Sequence, residues 1–286
     1  MKPAETYLAK AKEIIACVAG QMAAIEQAAD WFAEAILAGR MVHVFGTGQC
    51  RAMVEEFWPR NGSFPGFHPI VELALSAPNP VGTNGPRQAM YLENTPGLAE
   101  QILRNFALNR KDAALIITSS GCNVVPVEMA ALFQQRGLRV VALVSLRHSA
   151  VSASRHPEGR KVQDFADLVL DTGAPTGDAL VHVDGLEEPV GSASTLGGCL
   201  VINCLKVEVA RRLTQAGHPP KVLVAPALAG QERARSLFEL ALAEQARLLA
   251  KLHQEIEAQT ESVTSFRRKN PEKPPGEFDT GSFFIT

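Results

Sequence analysis

Apolar residues recur along the chain in two patterns, one with a helical period and one that runs unbroken over five to seven positions. The unbroken runs lie at 41–46, 113–118, 139–145 and 167–172, and less clearly at 221–225. Helical spacing follows at about 49–58, 97–107, 124–136 and 195–215. Strands that are apolar throughout and are separated by helices predict a parallel sheet covered by helices on both faces.

The amino-terminal segment carries the longest helical pattern. Apolar residues follow a 3,4 spacing from Leu8 to Ile36, which predicts one apolar seam along roughly eight turns, ended by Gly39. Such a seam needs a partner. Two alternatives are open: helices that pack on their own domain, or an interface with a second copy of the chain.

The carboxyl-terminal segment changes in character. A helix is predicted at about 230–257, and the following stretch is rich in proline and charge, which predicts a tail that orders only against something else. The chain therefore divides into a helical extension at 1–40, a main domain at 41–257 and a polar tail at 258–286.

Charge and cysteine content narrow the classes of function. The 28 basic and 30 acidic residues give a net charge of -2, so there is no overall attraction to nucleic acid or anionic lipid. The five cysteines are odd in number and form no CxxC pair, which argues against disulfides and a zinc site. The amino terminus lacks a signal-peptide pattern and no segment has the apolar length of a membrane span. We expect a soluble cytoplasmic protein that uses no metal and no cofactor.

Three segments rich in glycine and hydroxyl groups stand before helices: GTGQC (46–50), TSSGCN (118–123) and GSAST (191–195). Glycines let the backbone approach a ligand, hydroxyls donate hydrogen bonds, and a helix amino terminus favours an anion. Each segment alone is equally well an ordinary helix cap, and Arg51 breaks the GxGxxG pattern. Together they predict a site for a phosphate-like anion.

These segments also carry a resemblance. The first loop, then TSSGCNVVPVEMA with RGLRVVALVS, then HSAVSASRH and GSAST, follow an order that resembles the SIS (sugar isomerase) domain family, and within it the bacterial proteins with one SIS domain per chain. The similarity covers about residues 5–250. It implies a flavodoxin-like three-layer α/β sandwich with a five-stranded parallel sheet, a homodimer or homotetramer, and binding of phosphorylated sugars.

The resemblance also implies the ligand contacts, three sets in three loops. They are Gly46, Thr47, Gly48 and Cys50 in the first, Ser119, Ser120, Gly121 and Asn123 in the second, and Ser192, Ser194 and Thr195 in the third. Cys50 stands where a serine is usual, and a thiol is a poorer hydrogen-bond donor.

Aldose-ketose isomerisation needs a base beside the carbonyl and an acid that moves protons between oxygens. Heptose-type isomerases of this superfamily carry a Glu-Glu pair and an arginine after the first loop, which Glu55, Glu56 and Arg60 match, with Glu56 as the base. The alternative is a surface pair between Glu56 and Arg60. Asn203 stands where those enzymes have a histidine, and Glu208 is the nearest acidic replacement.

A polar loop at 147–161 follows a buried strand and is rich in cationic side chains. His148 or His156 is a candidate acid and Arg155 a candidate anion contact, unless the loop is simply solvated. His68 and Glu72 follow the first helix and are candidates to line the same cleft, with Glu72 otherwise a polar strand end. We interpret Asp178 as a turn former.

Three functions compete: a metal-independent isomerase of an anionic sugar, a lyase or deaminase acting on an amino or ether sugar phosphate, and a sensor without catalysis. Loop hydroxyls and helix amides accept phosphate or sulfonate alike. No separate helix-turn-helix module with a basic face precedes the main domain, which disfavours a nucleic-acid partner.

Overall fold

The computed structural model describes residues 2–75 and 85–269. Its strands are β1 Val42–Gly46, β2 Phe67–Ile70, β3 Ala113–Ile117, β4 Arg139–Val144, β5 Leu168–Asp171, β6 Ala179–Val181 and β7 Val190–Ser192. Its longer helices are α1 Pro3–Ala19, α2 Met22–Leu37, α6 Val124–Gln135, α8 Ser194–Gln215 and α10 Gln231–Lys269. Its shorter helices are α3 Arg51–Glu55, α4 Pro86–Leu92, α5 Leu98–Leu103, α7 Leu146–Val151 and α9 Pro226–Ala229.

Strands β1 to β5 form one parallel sheet in the order β2-β1-β3-β4-β5. Val42 pairs with Phe67 on one side and with Ala113 on the other, and Ala113 pairs with Arg139. This strand order is that of flavodoxin-like folds. The predicted three-layer α/β architecture is confirmed. A separate antiparallel hairpin of β6 and β7 precedes α8.

Alternate residues of the strands point to opposite faces, and each face has its own core. Val44, Leu115 and Val141 pack under α2, α3 and α8. Phe45 and Ile116 pack on the other face under α5 and α6. Because both faces are covered, the central strands are buried along their whole length, as their unbroken apolar runs predict.

The predicted strand at 221–225 is wrong, and the fifth strand is β2. Residues 221–225 have no strand pairing; Leu223 exchanges two hydrogen bonds with the loop before β2, through Gly62 (2.8 Å) and Ser63 (2.8 Å). Pro69 lies within β2, and a proline is compatible with an edge strand. The edge position of β2 explains how so short a segment joins the sheet.

The amino-terminal seam is carried by two helices, because the helix is interrupted between α1 and α2 at Gly20 and Gln21. Within α1 the predicted seam is only partly correct: Ile14 and Val18 are buried, whereas Leu8 and Ile15 are 63% and 51% exposed. Helix α2 packs along α8, so this part of the seam is covered by its own domain.

Helix α10 extends to Lys269, twelve residues past the predicted end at 257. Its first part holds the β2 edge: Gln245 Oε1 accepts from Gly66 N (3.1 Å) and Gln245 Nε2 donates to Phe67 O (2.7 Å). The part of the predicted tail at 270–286 lies outside the described residues. Among the helices in the described ranges, none is long and apolar enough to cross a membrane.

Candidate anion and acid-base site

A cavity of about 350 Å³ opens at the carboxyl ends of β1 and β3, beside α4. In parallel α/β sheets this edge is where ligands bind. The lining residues come from the first two predicted loops and from α4 with the residue after it: Thr47, Gly48, Gln49, Cys50, Pro86, Ala89, Met90, Glu93, Thr118, Ser119, Ser120 and Asn123.

The sequence brings the two loops together because β1 and β3 are adjacent and in register, with Gly46 paired to Ile117. A Cβ on Gly46 would lie 2.9 Å from the carbonyl oxygen of Ile117, so glycine is required for the strands to end side by side. Cys50 Sγ and Ser119 Oγ then lie 4.0 Å apart across the cavity.

The second loop offers hydrogen-bond donors. The backbone N–H groups of Ser120 and Asn123 make no hydrogen bond with any group in the described ranges of the chain. Asn123 is also the residue before the first turn of α6, whose amino terminus carries partial positive charge. Gly121 has a φ of 70°, a backbone conformation that favours glycine. This arrangement suits a tetrahedral anion.

Glu93 is the acidic side chain among the residues that line the cavity, and it is not one of the residues predicted from the sequence. It follows α4, and its Oε2 accepts a hydrogen bond from Thr47 Oγ1 at 2.8 Å. Burial raises the pKa of Glu93, although hydrogen bonds from Thr47 and Asn123 and the charge of Arg155 act against the rise. A carboxyl with a raised pKa in a polar cavity is a candidate general base or acid.

Arg155 reaches the edge of this site. Its Nη1 donates to Asn123 Oδ1 at 2.9 Å, and its backbone N–H donates to Cys122 O at 2.9 Å. The guanidinium therefore places a positive charge behind the second loop, where the sequence analysis expected an anion contact.

Cys50 is buried, and burial raises the pKa of its thiol to about 11. The thiol is therefore neutral near pH 7, and it contributes a weak donor to the cavity wall.

The third predicted loop does not line the cavity. Ser194 is fully buried, and its Oγ and N donate to Asp178 Oδ2 (3.0 Å) and Oδ1 (2.6 Å). Asp178 has a positive φ of 68° and holds the start of α8, which agrees with its interpretation as a turn former. Ser192 lies on β7, where its carbonyl accepts from Tyr7, and Thr195 lies in the first turn of α8.

Glu56 and Arg60 are held in a network on the other side of α3. Glu56 Oε2 lies 3.0 Å from Arg60, and its Oε1 lies 3.5 Å from Lys206 and accepts from Asn203 at 3.2 Å. Lys206 is buried and donates to the Glu56 carbonyl at 2.9 Å. Neither Glu56 nor Arg60 lines the cavity, and their assigned roles stay predictions.

Glu208 lies further along α8, paired with Arg211 at 2.8 Å and with Arg212. The hydrogen bond from Arg211, with that from Arg212, lowers the pKa of Glu208. These surroundings favour an ionised carboxylate rather than an acid.

The remaining predicted acids lie around the same sheet edge but do not line the cavity. His148 Nδ1 accepts from Gly177 N at 3.2 Å, and His156 Nδ1 accepts from Glu158 N at 3.3 Å. Glu72 follows β2 and is half-buried. Their catalytic roles stay predictions. In the described ranges, no group of three or more His, Cys, Asp or Glu side chains is arranged to hold a metal ion.

Solved structures similar to this chain include a phosphoheptose isomerase from Francisella tularensis, 16% identical, with a TM-score of 0.47 over 73% of this chain and 96% of that one. The sugar isomerase domain of an RpiR transcription factor from Sphaerobacter thermophilus is 18% identical, with a TM-score of 0.43 over 83% of this chain and 96% of that one.

Relatives found by sequence comparison identify the family of the chain. The SIS domain family matches residues 6–145. UPF0309 protein BH3325 of Halalkalibacterium halodurans is 36% identical over 71% of this chain and 81% of its own length. UPF0309 protein BCAN_B0929 of Brucella canis is 33% identical over 76% of this chain and 86% of its own length. The chain therefore belongs to the SIS-domain proteins, in the group of UPF0309 proteins.

Proposed function

We propose that the cavity between the first two loops and α4 binds an anionic sugar, a sugar phosphate above all, and that the protein is an aldose-ketose isomerase. The observation that carries the proposal is one cavity that joins an anion cradle to a carboxyl group. Ser120 and Asn123, whose N–H groups have no partner in the described ranges, line the same cavity as Glu93. Its volume of about 350 Å³ is in the range of small-molecule sites.

In the proposed chemistry, one part of the cavity binds the phosphate and another part carries out the proton transfer. The phosphate lies at the second loop and the α6 amino terminus, where N–H groups and Arg155 offset its charge. Glu93 removes the proton from the carbon beside the carbonyl and returns it to the neighbouring carbon, through an enediol. A second acid moves protons between the two oxygens. His148 and His156 remain its candidates, Glu56 and Glu72 remain alternative carboxylates for the base, and the reaction is proposed to need no metal or cofactor.

Glu93 is suited to this role for a physical reason. Burial raises its pKa, so the carboxylate is a stronger base than an exposed glutamate, while the hydrogen bond from Thr47 Oγ1 fixes its orientation. A solvated glutamate near pH 7 would be almost wholly ionised and weakly basic.

The test is a thermal-shift screen of the purified protein with C6 and C7 sugar phosphates, their unphosphorylated forms and sulfonated counterparts. A ligand at 100 times its dissociation constant stabilises the folded state by about 2.7 kcal/mol, which a melting curve resolves. Each hit is then followed by NMR in D2O. Deuterium incorporation at C1 or C2 is the expected result.

Other outcomes separate the alternatives. A stabilising ligand without exchange and without new products indicates a sensor. Loss of ammonia or of an ether substituent indicates a deaminase or a lyase that uses the same carboxyl. If no anionic sugar stabilises the protein, the proposed binding site is wrong.

The assembly is proposed to be a homodimer or homotetramer in the cytoplasm. Exposed apolar side chains on α1 and α8 support it: Leu8 is 63% exposed and Val207 is 67% exposed. Light scattering behind a sizing column gives the mass of the assembly, and a monomer at micromolar concentration would contradict the proposal.

A further inference from the structure

A second cavity, of about 600 Å³, lies between the edge strand β2, the end of α3 and helix α10. Its wall is formed by Glu55, Trp58, Pro59, His68, Pro69, Val71, Gln245 and Leu249, and it shares no lining residue with the first cavity. The function proposed above makes no use of it.

Behind this cavity, two buried histidines share one hydrogen bond. His43 on β1 and His68 on β2 are partners in the sheet register, and their Nδ1 atoms lie 2.9 Å apart. One of the two nitrogens must carry the proton and the other must accept it. His43 is fully buried, and its Nε2 lies 3.5 Å from Asp112 Oδ2.

Asp112 is a fixed negative charge at that position. Arg40 donates to both of its oxygens at 2.9 Å, and Asn109 N donates at 2.7 Å. Burial alone would raise the pKa of Asp112, but the nearby His43 ring and the hydrogen bonds from Arg40 outweigh it and lower the pKa to about 2. The side chain is therefore a carboxylate at every pH of interest.

This carboxylate selects the tautomers of both imidazoles. An N–H on His43 Nε2 is attracted to Asp112, whereas a lone pair there would be repelled. His43 Nδ1 then accepts, and His68 Nδ1 donates. His68 Nε2 is left with a lone pair. Burial and the neighbouring His43 lower the pKa of His68 to about 3, so this ring stays neutral.

The other polar groups of the cavity also favour a positively charged ligand. Arg51 donates to Glu55 Oε1 through both Nε and Nη2, and Glu55 Oε2 makes no hydrogen bond in the described part of the chain. The amide of Gln245 is already used by the backbone at Gly66 and Phe67. The groups left for a ligand are a carboxylate oxygen, an imidazole lone pair and the indole of Trp58.

We propose that this second cavity binds a small organic ammonium ion, which donates hydrogen bonds to His68 Nε2 and Glu55 and lays its apolar body against Trp58 and Leu249. A carboxylate, a neutral acceptor and an aromatic ring all attract an ammonium group, and the aromatic ring adds a cation–π contact. For an anionic sugar, the indole N–H of Trp58 is the one donor among these three groups, and the Glu55 carboxylate repels it, so this site and the first cavity favour ligands of opposite charge.

The binding test uses benzylamine, which is protonated at pH 7, with benzyl alcohol and benzoate as matched probes. The chain has two tryptophans, so fluorescence of the Trp31→Phe protein reports on Trp58. We expect a saturable change with benzylamine and at least 10-fold weaker binding of benzyl alcohol. Glu55→Gln should weaken benzylamine binding about 10-fold, while Glu100→Gln on α5 should leave it unchanged.

The tautomer test uses ¹⁵N-histidine labelling and NMR of the protein without the Trp31→Phe substitution. We expect a protonated Nε2 on His43, a non-protonated Nε2 on His68, and a shift of the latter when benzylamine is added. The proposal is overturned by a protonated His68 Nε2, by a resonance that saturating benzylamine does not move, by equal affinity for benzyl alcohol, or by no saturable binding.

Discussion

Glu93 acquires its proposed role from its neighbours rather than from its place in the sequence. The residue ends a short helix, but the fold brings its carboxyl within 2.8 Å of Thr47 Oγ1, 46 positions earlier in the chain. Burial raises the free energy of the ionised carboxylate. This carboxylate therefore takes up a proton more readily than an exposed one.

Replacing Glu93 with Gln tests this role. We expect deuterium exchange into the sugar to fall about 10²-fold to 10⁴-fold, because the amide cannot take up the proton. A carboxyl whose pKa is raised by folding stabilises the folded state below its unfolded pKa, and this stabilisation is lost as the pH rises through the folded pKa. Gln has no charge to bury, so the melting temperature at pH 7 should not fall. Glu100→Gln is the control, and full exchange activity in Glu93→Gln would contradict the assignment.

Ser120→Ala tests the anion cradle. The hydroxyl lines the cavity and accepts from Cys122 N at 3.3 Å, so its loss removes a donor to the anion and loosens the loop. We expect binding of a sugar phosphate to weaken by about 1–3 kcal/mol, measured by calorimetry. Thr214→Ala, on an exposed part of α8, should bind normally.

Thr195→Ala asks separately whether the third loop reaches the ligand. A loss of about 1–3 kcal/mol in sugar phosphate binding, as the family resemblance predicts, would place it there. Unchanged affinity would leave the first two loops and α4 as the site.

At the scale of elements, the close packing of α8 requires glycine at position 197, although glycine has a low helix propensity. A Cβ on Gly197 would lie 1.8 Å from the carbonyl oxygen of Thr172, which follows β5. In an exposed helix, Gly→Ala stabilises by about 1 kcal/mol. Here the sign should reverse: we expect Gly197→Ala to lower the free energy of unfolding by about 1–3 kcal/mol or more in urea. Thr214→Ala, exposed on the same helix, should change it little, and a stabilised Gly197→Ala would show that α8 is more loosely packed.

Asp112 joins the turn before β1 to the start of β3. Asp112→Asn removes the Asp112 charge from beside the buried Arg40 guanidinium, and we expect a loss of about 3–5 kcal/mol at pH 7. Because folding depresses the pKa of Asp112 to about 2, its stabilisation is present above the unfolded value near 4 and is lost as the pH falls toward 2. The difference between the two proteins should shrink over that range in urea titrations. Asp184→Asn, at an exposed loop, is the control.

The pattern of apolar residues predicted the elements that lie deep in the fold and failed at its margins. Strands β1, β3, β4 and β5 are unbroken apolar runs because helices cover both of their faces. Strand β2 contains Pro69 and His68, which interrupt its apolar pattern. The apolar run at 221–225 makes backbone hydrogen bonds with Gly62 and Ser63 in the loop before β2, and Gln245 bonds the backbone of Gly66 and Phe67. The β-propensity of a segment does not show whether the segment pairs with the sheet.

At the scale of the whole molecule, the two cavities follow from the topology. Parallel strands place the first two loops at one edge of the sheet, which glycine and hydroxyl patterns could reveal because each loop is local in sequence. Glu93, the Asp112–His43–His68 chain and the cavity around Trp58 unite residues far apart in sequence. Single-sequence reasoning has no signal for such pairs.

Truncation separates the two parts of the carboxyl-terminal region. Deletion of 259–286 keeps the contacts of α10 with the domain, which include Gln245 at the β2 edge and a hydrogen bond of 3.0 Å from Ala107 N to Leu252 O. We expect this protein to melt within a few degrees of the full chain and to bind sugar phosphate normally. Deletion of 231–286 exposes the backbone at Gly66 and Phe67 and should lower the melting temperature strongly, since unpaired buried backbone groups are costly. Loss of binding or of the oligomer in the shorter deletion would make the last residues part of the site or the assembly.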